Sequence, residues 1–331
     1  MAKTDWSNLH ARVHRQLKVR LLLPPGMSLL IAVSGGQDSV ALLKLLVDLQ
    51  PKWNWQLRAV HCDHRWRKDS DDNAQFVRQL CVEWNIPCQV VTAKDPPGTE
   101  AEARHWRYRV FEQLAVEQEC LRIATGHTAT DRAETLLYNL MRGSGADGLQ
   151  ALGWQRPISD TSPGVQVVRP LLNWTRQETA TFCYQFNLPI WEDSTNQDRT
   201  YARNRLRLDV MPLLRKSFNA NLETTLAQTS ELLTADVDLL DQLTQSLYDS
   251  VVQAPTNSEP WRIHRVPLQD AHLALQRRVM RRVLQRAIAA QVCFEAVEKL
   301  VVLIDAPHRT QTDPFAGGLI GVVDHDWIVL R

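Results

Sequence analysis

The feature that most constrains the fold of this chain is a polar loop, Ser-Gly-Gly-Gln-Asp-Ser, at residues 34–39. An apolar run at 28–33 enters the loop, and residues 39–49 leave it with the apolar spacing of an amphipathic helix. The two adjacent glycines permit backbone conformations that other residues avoid, so successive N–H groups can surround an anion. The start of the following helix adds partial positive charge. This strand–loop–helix unit predicts a phosphate-binding α/β fold.

Strand-like and helical segments continue to alternate along the chain to about residue 215. Further strands are predicted at 56–61, 88–91, 121–126 and 165–168, and helices at 71–84, 99–118, 131–141 and 175–186. We expect the first helix to stop before Pro51, since proline lacks the N–H that a helix interior uses. Alternation of this kind is typical of a parallel sheet with helices on both faces. The sequence thus predicts an α/β domain at residues 1–215.

The pattern changes beyond Pro212. Residues 222–253, 271–290 and 293–305 have helical spacing, and two short strands are predicted at 317–323 and 327–331. No internal repeat or low-complexity stretch interrupts this organisation. We therefore expect a smaller, mostly helical C-terminal domain at residues 216–331.

The composition argues against several classes of protein. No apolar run approaches the roughly 20 residues that span a bilayer, and the N-terminal stretch mixes charges unlike a signal peptide. The six cysteines are scattered without a C-x-x-C pair, which predicts free thiols in a reducing cytoplasm and no cysteine-bound cluster. The net charge is only +1, yet 30 of the 38 basic residues are arginine, whose planar group suits phosphates and stacked bases.

Asp38 is the unusual member of the 34–39 loop, because a carboxylate is repelled by phosphate groups. A bound Mg²⁺ between the two would reverse that repulsion, which makes Asp38 a candidate metal ligand. The loop has no P-loop lysine and matches the pattern S-G-G-x-D-S, so it resembles the loop of the PP-loop ATP pyrophosphatases. That resemblance implies cleavage of ATP between its α- and β-phosphates, giving an adenylylated substrate and pyrophosphate. It also implies nucleotide binding by Ser34, Gly35, Gly36, Gln37, Asp38, Ser39 and Gly126.

Five further stretches narrow the resemblance within this superfamily. They are HCDHRWR at 61–67, TEAEARHWRY at 99–108, GHTATDRAET at 126–135, RGSGADGL at 142–149 and WEDSTNQDRTYARNRLR at 191–207. Together they make residues 28–214 similar to the tRNA(Ile)-lysidine synthetase family. The resemblance implies an ATP-dependent ligase that joins free L-lysine to C2 of the wobble cytidine of tRNA(Ile) with a CAU anticodon, changing its decoding from AUG to AUA. It also implies a monomer or homodimer.

Two of these stretches depart from the family pattern. In H-x-x-H-G-L-R, this chain has Arg65 and Trp66 in place of glycine and leucine. In G-H-H-x-D-D-Q, three positions are taken by other residues, which are Thr128, Thr130 and Arg132. The family positions that are kept are His127, Asp131 and Glu134.

The retained residues fit roles in substrate binding and catalysis. Asp131 and Glu134, three apart on one helix face, are suited to hold the amino groups of lysine. The attacking ammonium must first lose a proton, and we assign Glu134 as the acceptor; the alternative for both residues is a carboxylate pair facing water. His127 follows a predicted strand end and would contact an ATP phosphate, unless it is an ordinary loop histidine.

Arg104 and Arg107 lie on the predicted helix 99–118 and are candidates to clamp a phosphate or the carboxylate of lysine. We assign Arg104 to the lysine substrate and Arg107 to catalysis, with a solvated arginine as the alternative for either. The HCDH stretch at 61–64 supplies too few well-spaced ligands for zinc, so we place it near the adenine or the RNA.

Residues 199–216 are strongly basic and predict contacts with RNA phosphates. Six basic residues there face one acid, Asp209, and we assign Arg203, Arg205 and Arg207 to RNA binding. Arg278, Arg282 and Arg286, at spacing four, are a second candidate for RNA contact; a solvated helix face accounts for them equally well.

Three other functions remain open from the sequence. A PP-loop thiolase acting on tRNA would need paired cysteines, and a NAD or GMP synthetase would lack the arginine-rich segment 199–216. A nucleotide-binding module without enzymatic activity would bind ATP without turnover. Pyrophosphate release that depends on both tRNA and lysine separates these alternatives.

Overall fold

The computed structural model describes residues 6–66, 69–192, 197–256, 260–288 and 290–331. These ranges leave out Arg67 and residues 193–196, which belong to two of the sequence motifs. They also leave out residue 289, which belongs to a predicted helix. The chain forms two compact units, Met1–Thr234 and Ala235–Arg331. We predicted a domain boundary at 215/216; the division between the compact units falls inside the longest helix, Leu222–Val251.

Within its described residues, the first unit contains six strands and most of the helices. Its strands are β1 (Ser28–Ala32), β2 (Gln56–Asp63), β3 (Cys88–Thr92), β4 (Arg122–Ala124), β5 (Gln155–Pro157) and β6 (Gln166–Val168). Its helices are α1 (Asn8–Arg20), α2 (Gln37–Trp53), α3 (Ser70–Glu83), α4 (Glu100–Glu117), α5 (Ala129–Met141), α6 (Ala146–Leu149), α7 (Arg176–Gln185), α8 (Ala202–Arg205), a π-helical turn (Leu206–Val210), α9 (Met211–Ser217) and the start of α10 (Leu222–Val251).

The six strands form one sheet in the order β3-β2-β1-β4-β6-β5. All neighbouring pairs are parallel except β5 with β6, so the predicted parallel sheet is confirmed. The chain moves outward from β1 through β2 to β3 and then crosses back to β4 on the other side of β1. Open sheets bind ligands at the carboxyl ends of strands where the order reverses in this way. The site is therefore expected where β1 ends.

Side chains of β1 alternate between two cores, one on each face of the sheet. Leu29 and Ile31 belong to the core shared with α2, whereas Leu30 belongs to the core shared with α4, and all three are fully buried. Burying each such side chain contributes roughly 1.5–3 kcal/mol. This fixes β1 rigidly, and with it the loop that follows.

Helix α2 does not stop before Pro51, as we predicted, but continues to Trp53. Proline removes only one hydrogen bond in the last turn, and the helix ends at Asn54 in a left-handed conformation, whose N–H bonds to the carbonyl of Gln50 at 2.8 Å. The prediction failed because a proline so near the C-terminus costs little.

The second unit combines helices with a small antiparallel sheet. Its elements after α10 are β7 (Val252–Gln253), β8 (Trp261–His264), α11 (Val266–Gln269), α12 (Leu273–Ala287), α13 (Phe294–Val302), β9 (Gly321–Asp324) and β10 (Trp327–Leu330). The sheet order is β7-β8-β10-β9. The two terminal strands were predicted, but β8 was not, because a four-residue strand carries little periodicity. Ile263 of β8 is fully buried in the core of this unit.

Across the described ranges, no helix has both the length and the apolar character that crossing a bilayer requires.

Candidate active site

A cavity of about 410 Å³ opens at the carboxyl ends of β1, β2 and β4. It lies at the position where the strand order reverses. The predicted site residues that line it are Ser34, Gly36, Gln37, Asp38, Ser39, Arg104, Arg107, Gly126, His127, Asp131 and Arg207. The structure therefore brings together residues from several separate sequence motifs.

The loop at 34–39 is held in a closed shape by its own hydroxyl groups. The Ser34 N–H donates to Ser39 Oγ at 3.2 Å, and Ser39 Oγ donates to the Gly36 carbonyl at 2.8 Å. Gly35 has φ of 89°, and a Cβ at this position would lie 2.5 Å from Asn73 Oδ1. A glycine is thus required there on both conformational and steric grounds. Gly36 immediately precedes α2, so the N-terminus of a 17-residue helix opens at the cavity.

Gly126 lies against this loop from the neighbouring strand. A Cβ on Gly126 would lie 3.0 Å from the backbone carbonyl of Asp38 and 3.0 Å from the Ser39 nitrogen. The segment after β4 can approach the phosphate loop this closely only because this residue has no side chain. Gly126 therefore sets the distance between the loop and the segment that carries His127.

Asp38 is largely buried at the edge of the cavity. The Thr179 hydroxyl donates to its Oδ1, and Arg176 Nε lies 3.5 Å from its Oδ2. Burial raises the pKa of Asp38 to about 6; Arg176 opposes the rise and Asp131 adds to it. The oxygen donors around it fit a hard divalent cation, and such a cation would keep the carboxylate ionised at neutral pH.

His127 is held with one ring nitrogen against Thr125, whose hydroxyl lies 2.8 Å from Nδ1. Burial lowers the pKa of His127 to about 3; Asp131 opposes the fall, while Arg169 and Arg104 add to it. The imidazole is therefore neutral at physiological pH, and a neutral ring donates a hydrogen bond without carrying charge.

Asp131 is fixed by the start of α5. Its Oδ2 accepts from the N–H and the hydroxyl of Thr128, both at 2.8 Å, in a capping box. Its Oδ1 lies 3.7 Å from Arg207 Nη2. One carboxylate oxygen is thus used to begin the helix, and the other lies beside Arg207, with both residues lining the cavity.

Glu134 does not line the cavity. It is only 3% exposed, and both of its oxygens accept from Arg207, at 2.7 Å from Nε and 2.8 Å from Nη2. We predicted that Glu134 would bind the substrate lysine and take its proton. In this arrangement it has no free oxygen for either task and instead orients Arg207.

The three arginines predicted to bind RNA occupy different environments. Arg207, in the π-helical turn, lines the cavity and is paired with Glu134. Arg203 is 41% exposed in its side chain, and Arg205 is exposed, donating to the carbonyls of Arg199 and Thr200 at 2.9 and 2.8 Å. Arg203 is partly exposed and Arg205 exposed, and the assignment of all three arginines to RNA binding stays a prediction.

Arg104 and Arg107 face the cavity beside Tyr108, which our sequence predictions did not include. Arg104 Nη2 lies 3.3 Å from the Tyr108 hydroxyl, and its guanidinium lies 4.8 Å from the ring centre. Burial lowers the pKa of Arg107 from its ordinary value, and its buried Nε has no hydrogen-bond partner in the described chain. Arg176 and Thr179 were also missed, although the Thr175–Glu178 capping box marks the start of their helix.

The arginine stripe of the second unit is paired within that unit. Arg278 Nη1 donates to Asp241 at 3.0 Å, and Arg282 Nη1 donates to Gln245 at 2.7 Å. The Arg286 guanidinium lies 4.8 Å from the ring centre of Tyr248. Arg278 and Arg282 are thus partnered by α10, whereas Arg286 is exposed, and contact of this stripe with RNA stays a prediction.

The HCDH stretch does not converge on a metal. His61 Nδ1 lies 2.8 Å from the Val33 carbonyl, and Asp63 Oδ1 accepts from the Arg65 N–H at 2.8 Å. Both side chains are thus used to shape the loop after β2.

Comparison with known proteins agrees with this geometry. A family model described as a PP-loop domain matches residues 9–214. The chain is 52% identical to a tRNA(Ile)-lysidine synthase of Nostoc sp., over 98% of this chain and 97% of that relative. It is 46% identical to a tRNA(Ile)-lysidine synthase of Thermosynechococcus vestitus, over 98% of this chain and 92% of that relative.

Among solved structures, the chain is similar to a U34-tRNA thiolase of Methanococcus maripaludis with a [4Fe-4S] cluster. The TM-score is 0.57 and the identity 20%, over 68% of this chain and 77% of that chain. At this identity the likeness supports the fold alone.

The sheet, the loop at 34–39 and the cavity beside it define a nucleotide-binding protein of the PP-loop class. Within that class, the chain belongs to the tRNA(Ile)-lysidine synthase family, and it is an enzyme of the ligase type. The family predicted from the sequence motifs is confirmed.

Proposed function

We propose that this enzyme joins L-lysine to C2 of the wobble cytidine of tRNA(Ile) with a CAU anticodon, using ATP. The observation that carries the proposal is the meeting, in one cavity, of the 34–39 loop with Asp38, His127, Asp131 and Arg207. The near full-length identity to relatives of that name supports it. The modification would change the amino-acid identity of the tRNA from methionine to isoleucine.

In the first step, the cytidine O2 attacks the α-phosphate of ATP, and pyrophosphate leaves. The N–H groups of the 34–39 loop and the start of α2 bind the departing pyrophosphate. Neutral His127 donates a hydrogen bond to the α-phosphate, where negative charge develops. Because its pKa is lowered, His127 acts as a hydrogen-bond donor rather than as an acid that transfers its proton.

In the second step, the lysine side-chain amine attacks C2, and AMP leaves with the former cytidine O2. Asp131, which lines the cavity, holds a cationic amino group of lysine, and Arg104 holds its carboxylate. Arg107 stabilises the anionic leaving group. The amine must lose its proton before it attacks, and since Glu134 is fully paired with Arg207, we assign that acceptor to water.

Mg²⁺ fits beside Asp38, where it would neutralise the charge of the ATP phosphates. Asp38 supplies a buried carboxylate at that place, and its neighbours hold the carboxylate in position. The oxygen donors Ser34, Asp38 and Ser39 lie on the same loop, which suits a hard cation.

The tRNA is held in part by Arg203 and Arg205, which remain exposed near the π-helical turn that carries Arg207. A single-stranded anticodon loop lets its wobble base leave the stack at modest cost. The enzyme would work in the cytoplasm, as a monomer or homodimer. Its six cysteines are all free thiols, as expected in a reducing compartment.

The direct test is incorporation of labelled lysine into a tRNA(Ile) transcript by wild type, Asp38→Ala and the control Asp72→Ala. Asp72 is exposed on α3 and does not line the cavity. We expect Asp38→Ala to lose activity by at least roughly 100-fold, since it removes the carboxylate that would hold Mg²⁺ beside the reacting phosphates. Asp72→Ala should keep wild-type activity.

Two results would count against the proposal. Full activity of Asp38→Ala would remove Asp38 from the reaction. Pyrophosphate release by wild type without lysine or without tRNA would favour another PP-loop enzyme, and ATP binding without turnover would favour a binding module.

A further inference from the structure

Asp63, the last residue of β2, holds a buried oxygen without a partner at the wall of the cavity. Its side chain is 3% exposed, and it lines the cavity. Oδ1 accepts from the Arg65 N–H at 2.8 Å, whereas Oδ2 is buried and has no hydrogen-bond partner in the described part of the chain. A carboxylate oxygen in such a place calls for a donor, and a ligand in the cavity can supply one.

The loop that follows Asp63 is shaped so that this oxygen stays in place. Arg65 has φ of 59°, a left-handed conformation that is unfavourable for arginine, and its N–H is held by Asp63. Trp66 follows, and its indole N–H donates to the Pro97 carbonyl at 2.5 Å. Residues 65 and 66 are the positions at which this chain departs from the H-x-x-H-G-L-R pattern.

The surroundings of Asp63 suit a flat nucleobase. Trp66 is 40% exposed and lines the cavity, and its ring centre lies 5.5 Å from that of His64. Val60 and Phe111, both buried, add an apolar wall. Aromatic and apolar surfaces beside one hydrogen-bonding group are typical of sites that bind a base.

The position of Asp63 along the sheet favours the base of ATP over the lysine or the tRNA. β1 ends at Ala32, which lies opposite Val60, so β2 continues three residues further to Asp63, or about 10 Å. The phosphates are bound by the loop directly after β1, and the base lies one ribose away from them. The groups assigned to lysine, Asp131 and Arg104, are on α5 and α4 instead.

We propose that Asp63 accepts a hydrogen bond from the exocyclic 6-amino group of the ATP base and so selects adenine over guanine. The inference rests on the proposed function, since it takes ATP as the nucleotide of the cavity. Guanine carries an oxygen at the same position, which the carboxylate repels. Adenine satisfies the oxygen that is otherwise buried without a donor.

The experiment is a thermodynamic cycle of binding by the full-length protein. The ligands are ATP and purine riboside 5′-triphosphate, which lacks the 6-amino group, and the proteins are wild type and Asp63→Ala. Loss of the amino group should weaken binding to wild type by roughly 10- to 100-fold and should have little further effect on Asp63→Ala. Equal losses in both proteins would overturn the proposal.

A second variant keeps the shape of the loop. In Asp63→Asn, the remaining oxygen can still accept from Arg65, while the amide presents a donor in place of the free acceptor. Its preference for ATP over GTP should fall by at least roughly tenfold relative to wild type. Asp71 is exposed on α3, so Asp71→Asn is the matched control and should leave the preference unchanged.

Other results separate this inference from the proposed function. If wild type forms lysidine but the protein change and the ligand change have additive effects on binding, the proposed role of Asp63 is wrong and the proposed function stands. A wild type that forms no lysidine contradicts the proposed function. If Asp63→Asn raises the KM for lysine and leaves nucleotide preference intact, the oxygen serves the amino acid and the proposal is wrong.

Discussion

Two regions of the molecule are built from arginines and polar or acidic partners. One is the cavity at the carboxyl ends of β1, β2 and β4, and the other is the contact between α10 and α12. Around α12, Arg278 and Arg282 donate to Asp241 and Gln245, and each guanidinium has a partner at 3.0 Å or less. Around the cavity the pairing is incomplete. Asp63 Oδ2 and Arg107 Nε are buried without partners in the described chain, and the pKa of Asp38 is raised to about 6.

This difference shows how two arginine-rich regions acquire different environments. Charges that are matched within the fold hold helices together, whereas charges left unmatched at a cavity are available to a ligand. The distinction depends on where the acidic partners lie and not on the number of arginines. This distinction can be tested by substituting charged residues of each region in turn.

The largest effect is expected from Arg207→Ala. The change leaves both oxygens of buried Glu134 without donors, which should lower the free energy of unfolding by about 3–5 kcal/mol. Lysine incorporation should also fall by about 100-fold or more, because Arg207 lines the cavity. Urea unfolding and the labelled-lysine assay measure the two effects.

The double variant Arg207→Gln with Glu134→Gln separates stability from activity. It buries no unpaired charge, so most of the stability should return while the activity stays low. Recovery of both would mean that Arg207 serves the fold alone.

A smaller effect concerns the dependence of stability on pH in the protein without ligands. The pKa of Asp38 is raised by burial from its ordinary value of 3.8 to about 6, so the folded state binds this proton more tightly than the unfolded state. Stability should therefore fall as pH rises from about 4 to about 6, by on the order of 1–3 kcal/mol, and stay lower above that range. Asp38→Asn should lack this fall while losing activity.

Urea unfolding of wild type and Asp38→Asn at several pH values gives the difference between their free energies of unfolding as a function of pH. A difference that does not change between pH 4 and 6 would mean that the carboxylate is fully compensated by Arg176 and Thr179.

A weaker effect is expected from Arg205→Ala on the surface beside the cavity. Loss of one phosphate contact should raise the KM for tRNA a few-fold and reduce the salt slope of tRNA binding by about one. The KM values for ATP and lysine should not change. A filter-binding titration at several salt concentrations measures the slope, and an unchanged slope would show that Arg205 does not contact RNA.

The smallest effect is expected from Arg278→Ala in the second unit. Because Arg278 is paired with Asp241 at a partly exposed position, its loss should reduce the free energy of unfolding by no more than about 1 kcal/mol. The salt slope of tRNA binding should stay at the wild-type value. A decrease like that of Arg205→Ala would mean that this arginine reaches RNA after all.

Much of the first unit could be predicted from its sequence, because buried parallel strands and amphipathic helices leave clear patterns. The loop at 34–39 also located the site, since paired glycines in a polar turn directly after a buried strand are typical of phosphate binding. Strand β8 and the course of α2 through Pro51 were missed. Both depend on packing and chain-end effects that a short sequence window does not contain.

The pairing of charged side chains was much harder to predict. Asp131 and Glu134 are three residues apart on one helix, yet one faces the cavity and the other is buried against Arg207. The partner comes from a segment far away along the chain, so no local pattern reveals it. Tyr108 and Thr179 were missed for the same reason, since their importance follows from the groups that other segments bring beside them.

Gly126 has a mechanical consequence. Its backbone lies so close to Asp38 and Ser39 that an added carbon would be only 3.0 Å away, so no side chain fits between them. A shift of the phosphate loop toward β4 would push directly on the residue before His127. The close contact therefore sets a lower limit on the distance between the nucleotide loop and the segment that carries His127, whichever substrate is bound.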